Sequence, residues 1–265
     1  MKIMNSRGFT HLIALVLTIV SVAAIGTYML VASHASTKYT RIVDVSWPQC
    51  GRKITAEQGL VGVNNGRPRT HNPCMRKQVQ RMDNYALYVN TAYSGKRYMP
   101  KNAACTSNVA SCWAYNKGVS DALYSIAYAN KIDNKLYAGQ WWIDVEKDSS
   151  GDNTGNKWSG NTDLNVEYLK GMMTALGYGN ITVGFYSNPS SWDVVTGDWQ
   201  NNHPSWLALG VEAPNNEYTA LQNCDHSFTG GSLWFVQYIL HKDQPGKDLD
   251  INYACHSTAR KSFLQ

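Results

Sequence analysis

The stretch QWWIDVEK, Gln140–Lys147, places two carboxylates in a run that otherwise avoids water. Side chains alternate across a strand, so Trp142, Asp144 and Glu146 share one face and Trp141, Ile143 and Val145 share the other. Apart from the acids, both faces are apolar, which is the pattern of a parallel strand covered on both sides. A Gly/Asn/Ser-rich stretch, Lys147–Thr162, begins directly after Glu146. The acid pair therefore belongs at the C-terminal end of a buried strand.

Working outward, further β-rich runs precede and follow it. They are Arg41–Trp47, Leu60–Gly66, Ala86–Ala92, Ile181–Asn188, Ser205–Gly210, Ser232–Leu240 and Leu249–Ala254. Helical spacing lies between them: Pro73–Met82, Trp113–Asn130, Asp163–Leu176 with Asp163 as N-cap, and a short Ser190–Thr196. Strand–helix alternation predicts a parallel sheet. About five β-α units followed by about three strands predict a flattened (β/α) barrel of TIM type. Asn90–Ser111 and Lys147–Thr162 are long polar loops.

In such a barrel, reacting residues sit at the C-terminal strand ends. Asp144 and Glu146 then point inward at the mouth, with Trp142 below them. Cleavage of a glycosidic bond needs this equipment: one carboxyl protonates the leaving oxygen and another supports the cationic sugar carbon. Two acids this close do not ionise freely together, so one retains its proton. Alone, a D-x-E is a weak signal, equally consistent with a turn cap beside a solvated loop acid.

The chain has 265 residues and divides into a leading segment, 1–36, and one domain, 37–265. Lys2 and Arg7 precede an uncharged run from Phe9 to Ala32. That run exceeds the roughly 20 residues of a spanning helix and the about 7–15 of a signal-peptide core. An uncleaved membrane helix over Phe9–Val31 is expected. Cleavage after Ser33-His34-Ala35 and a pilin-like leader in RGFTHLIAL are the alternatives. All three place the domain outside the cytoplasm, secreted or membrane-anchored. Without Lys2 and Arg7, 22 basic and 19 acidic side chains remain, a mild excess of +3. Nothing in it suggests nucleic-acid binding. A monomer without cofactor is expected.

Six cysteines, an even number in an exported chain, imply bridges, and fifteen pairings are open. The expected set is Cys50–Cys74 near strands one and two, Cys105–Cys112 closing a small loop, and Cys224–Cys255 pinning the C-terminal region. No C-x-x-C spacing occurs, so no metal site is expected.

Several motifs, in order, resemble the family 25 glycoside hydrolases, the Chalaropsis-type lysozymes. VDVSW carries Asp44, IDVE carries Asp144 and Glu146, GFYSN carries Tyr186, FVQY carries Gln237, and LDIN carries Asp250. The resemblance implies a lysozyme-like hydrolase of peptidoglycan, with Glu146 as general acid/base and Asp144 as its partner. Asp44 and Asp250 are then supporting acids, with Asp248 a rival for the latter place. Tyr186, Trp47, Trp142, Gln237 and Asn90 are read as sugar contacts. One departure is SWPQCG, where the family has S-x-x-Q-G. DVSWPQC, NPC, YVNTA, SFTGG and the late YAC resemble a less characterised exported branch. A non-catalytic glycan-binding relative of the same fold is the alternative function.

Overall fold

The computed structural model describes residues 42–133, 140–147, 157–210, 216–240 and 249–256. The leading segment, with its expected membrane helix, and Asp248 lie outside the described residues.

Eight strands close into a barrel in sequence order. They are β1 Ile42–Val45, β2 Ala56–Gly62, β3 Met82–Asn90, β4 Trp141–Asp144, β5 Val183–Ser187, β6 Ser205–Ala208, β7 Leu233–Leu240 and β8 Leu249–Ala254. From β1 to β7 every pairing is parallel. The last strand, β8, closes the ring antiparallel to both β7 and β1. Among the described residues, five helices follow β2 to β6: α1 Met75–Val79, α2 Ala110–Ile132, α3 Thr162–Leu176, α4 Pro189–Thr196 and α5 Glu217–Gln222.

The alternation read from QWWIDVEK is the alternation of the whole barrel. Val43, Val45, Trp141, Ile143, Val145 and Phe185 face outward into the apolar layer beneath the helices. Ile42, Leu60, Ala86, Tyr88, Trp142, Trp206 and Phe235 form a separate interior cluster. Helices α2 and α3 make the most extensive helix pairing. It depends on two glycines, because a Cβ on Gly118 would lie 2.0 Å from the Tyr168 carbonyl oxygen and one on Gly171 2.1 Å from that of Tyr115.

Three bridges are formed, Cys50–Cys74, Cys105–Cys112 and Cys224–Cys255, as expected. Several boundaries differ from expectation. β2 starts and ends earlier than the apolar run suggested: it begins at Ala56, and after Val63, whose N–H still donates to the Tyr88 carbonyl at 2.9 Å, the chain turns away from β3. Asp163 is not the cap of α3. Asn161 has the extended backbone of an N-cap and accepts from Leu164 N at 3.2 Å, which places Asp163 inside the first turn. Helix α1 is only five residues long and begins after Cys74. Helix α5 was not foreseen from the sequence. Its signal is Asn216, whose side chain accepts from Thr219 N and caps it.

Candidate active site

Register brings the acids together. Asn90 closes β3 and pairs with Asp144, the last residue of β4, which pairs in turn with Tyr186 on β5. Asp44, near the end of β1, lies directly opposite Asp250. The antiparallel direction of β8 explains this. Its N-terminal end lies at the mouth, where every parallel strand presents its C-terminal end. The second residue of β8 thereby joins the acids from the other strands.

Hydrogen bonds fix these side chains. Asn64, fully buried after β2, donates from Nδ2 to the Asn90 carbonyl at 2.9 Å and accepts from Asn90 N at 3.2 Å. Held in this way, Asn90 donates its own Nδ2 to Asp144 Oδ2. From β5, beside Asp144, the Tyr186 hydroxyl reaches to β7 and donates to Gln237 Oε1 at 2.8 Å, and Gln237 Nε2 donates to Asp44 Oδ2 on β1 at 2.6 Å. The tyrosine thus fixes which end of the amide faces Asp44.

Under the acids lies an aromatic floor. Trp142 is completely buried and packs edge-on against Trp206, Trp234 and Phe235. Space for it comes from Gly184, where a Cβ would lie 2.3 Å from the Trp142 ring. Trp206 is fastened by donating from Nε1 to Asn252 Oδ1 at 2.6 Å. Above the floor opens a cleft of about 230 Å³, lined by Asp44, Asp144, Glu146, Asp250, Asn90, Tyr88, Tyr186, Trp206, Gln237, Gly66 and the Ser46–Pro48 turn. Trp47 stands at its lip, 47% exposed. The Cys50–Cys74 bridge ties the base of that lip to the start of α1.

The environment raises the proton affinity of three acids. Asp144 is 4% exposed, and burial pushes its carboxyl well up, with Glu146 and then Asp44 adding repulsion. Burial likewise raises Asp44 well above the usual range, with Asp250 adding to it and Tyr88 and Gln237 opposing it. Glu146 is raised by burial and then by Asp250, with no hydrogen bond from the described residues opposing it. The Tyr186 phenol is pushed well up by burial and by the surrounding acids, so it stays a hydrogen-bond donor. A site that raises the proton affinity of neighbouring carboxyls, and supplies side chains that donate to some of them, is equipped for acid catalysis.

Asp44, Trp47, Asn90, Asp144, Glu146, Tyr186, Gln237 and Asp250 all line the one cleft. Trp142 supports its floor and does not reach its surface. Sequence reading passed over Tyr88, Trp206 and Asn64. Alternation in ALYVNTA puts Tyr88 on the face of Asn90, and alternation in SWLALG turns Trp206 inward, so both carried a signal. Asn64 read as part of a turn, and only its contacts reveal the clamp.

Comparison with known proteins agrees with this architecture. A family described as "Lysozyme-like protein 1" matches residues 116–228. The bacterial lysozyme of Streptomyces coelicolor superposes with a TM-score of 0.50 at 14% identity, covering 86% of this chain and 97% of that one. The family 25 lysozyme of Aspergillus fumigatus superposes with a TM-score of 0.51 at 10% identity, covering 84% and 98%. The modular autolysin LytC of Streptococcus pneumoniae superposes with a TM-score of 0.46 at 16% identity, covering 81% of this chain and 46% of that one. The chain therefore spans about half the length of that autolysin. No curated protein matches in sequence. The chain is thus similar over residues 116–228 to a lysozyme-like family, and its barrel has the fold of these family 25 lysozymes.

Proposed function

We propose that the domain is an exported glycoside hydrolase that cleaves β-1,4 bonds of peptidoglycan next to N-acetylmuramic acid. The observation that carries the reading is the placement of Asp144 and Glu146 on one strand end, in a cleft that raises the proton affinity of both. The lysozyme-like family match and the lysozymes of the same fold support the substrate class. Export is supported by the three bridges and by the basic-then-apolar start of the sequence. The same start supports a membrane tether.

In this mechanism Glu146 gives its proton to the glycosidic oxygen as the bond to the anomeric carbon breaks. Glu146 suits the role because it is the more exposed acid of the pair and no described group donates to it. Asp144 accepts from Asn90, which favours its charged form as positive charge grows on the sugar. Asp44 and Asp250 add negative potential from the opposite wall. Water completes the reaction at the anomeric carbon and leaves a new reducing end. Trp47 and Tyr186 offer aromatic faces to the sugar rings, with Trp206 supporting Tyr186 from the floor.

The test is release of reducing ends from purified wall glycan, identified by mass. Glu146→Gln is expected to keep the fold and glycan binding while losing about 10²–10⁴-fold in turnover. Asp144→Asn is expected to lose turnover as well. Wild type that binds glycan from several walls and releases no ends from any of them would leave a binding protein in place of the enzyme.

A further inference from the structure

The mild overall charge hides a strong segregation. Residues 52–117 hold eleven lysines and arginines against two acids, Glu57 and Asp83, a net of +9 in a chain whose total is +5. Six of these cations, Arg67, Arg69, Lys96, Arg97, Lys101 and Lys117, lie on the loops after β2 and β3 or in the first turns of α2. Those loops leave the barrel at its mouth, beginning at the cleft residues Gly66 and Asn90.

The two loops are tied together. Arg69 Nη1 donates to Ser120 Oγ at 3.0 Å, and the Tyr98 hydroxyl is 2.7 Å from the same oxygen. The carboxylate serving this region, Asp121, is only 2% exposed and is taken up by Lys117, by Arg69 at 3.6 Å and by the Tyr168 hydroxyl. Arg97 is held by Asn108 at 3.1 Å and lies over the Trp113 ring. Arg67, Lys96 and Lys101 remain exposed, with no acidic partner among the described residues.

We infer that this rim docks the carboxylates of the peptide stems carried by the same glycan strand whose sugars enter the cleft. The inference rests on the glycosidase reading, since it assigns the strand in the cleft. Charge complementarity selects the occupant. The acids of the cleft suit a sugar that becomes cationic, and the rim beside it suits anionic branches leaving that sugar strand. Continuity selects the source, because a strand in the cleft brings its own branches past Arg67, whereas a separate polyanion has no reason to follow the cleft.

The test uses the full chain and three glycan probes: stem-bearing strands stripped of phosphate polymer, the same strands after amidation of their carboxyls, and wall retaining its phosphate polymer. Wild type is expected to bind the stripped strands about tenfold tighter than the amidated ones, three exposed ion pairs being the source. Salt at 0.5 M, whose screening length is below about 5 Å, should close that gap. The triple variant Arg67→Gln, Lys96→Gln, Lys101→Gln should bind both strands as wild type binds the amidated one, and should cleave amidated strands as fast as wild type does. Single Gln variants, each giving part of the loss, guard against a folding defect in the triple. Equal binding of stripped and amidated strands, or tight binding only to wall with its phosphate polymer, would overturn the rim. Absence of cleavage with the binding difference intact would instead remove the glycosidase reading and leave the rim standing.

Discussion

Asp44 and Asp250 are direct cross-strand partners where β8 closes the barrel against β1. Like charges placed opposite each other destabilise a sheet, and here both are among the residues lining the cleft. Asp250 is the first charge acting on Asp44 after burial, and the first on Glu146. Removing it should lower the proton affinity of Glu146. If Glu146 must be protonated to act, the alkaline limb of the pH–rate profile of Asp250→Asn will move to lower pH. The variant should also melt higher than wild type at neutral pH. A limb that stays in place would show that Asp250 does not set the acid's proton affinity.

The same raised acids make stability depend on pH in a defined direction. Asp44, Asp144 and Glu146 bind protons more tightly folded than at their ordinary values of 3.8 and 4.5. Above those values the folded chain holds more protons than the unfolded one, so stability falls as pH rises toward the raised values. Thermal melts should give a higher Tm near pH 5 than near pH 7.5. Asp144→Asn should flatten that slope and raise the neutral-pH Tm, even as it loses turnover.

Much of this arrangement was legible in the sequence because barrel strands obey a period of two. Once QWWIDVEK was placed as a strand end, the inward set Trp142–Asp144–Glu146 followed, and the resemblance supplied the acids on β1 and β8. Alternation could not supply register between strands, so the facing of Asp44 and Asp250 is a finding of the structure. Nor could it separate floor from wall: Trp142 shares the face of Asp144 but lies one layer too deep to meet a sugar. The basic rim was invisible in the net charge, since acids elsewhere in the chain offset it.

The glycines at the α2–α3 crossing have no slack. Gly118→Ala sets a methyl against the backbone of Tyr168, which cannot rotate away as a side chain would. A cost of about 1–3 kcal/mol is expected, as for other overpacked contacts. Denaturant melts will read it as a lower midpoint. An unchanged midpoint would mean that the helices part easily and that the crossing is not a constraint on the fold.

The Cys224–Cys255 bridge joins the loop after α5 to the residue following β8. Beyond the about 2–4 kcal/mol such a closure typically contributes, it secures the strand that carries Asp250. Replacing both cysteines by serine should raise hydrogen exchange first at the β8 amides, including those paired with β1. Turnover should then fall at temperatures below the main unfolding transition. Uniform loosening of all eight strands would argue instead for a purely global role.

Gln237 offers the sharpest test of the opposite wall. Its amide receives the Tyr186 hydroxyl and donates to Asp44, so one side chain holds an aromatic wall and an acid in register. Gln237→Met keeps the length and removes both bonds, leaving a buried hydroxyl and a carboxyl oxygen without these partners. Such losses cost roughly 1–3 kcal/mol each. Asp44, deprived of a donor that lowers its proton affinity, should take up its proton at higher pH. The expected result is a less stable protein whose glycan turnover falls, with a shift in the pH–rate profile. Gln237→Glu is the companion variant, because its carboxylate can accept from Tyr186 but repels a charged Asp44. Turnover of that variant should recover only at acidic pH, where a proton restores the donor. Equal activity of both variants across the pH range would show that the link from Tyr186 to Asp44 plays no part in the reaction.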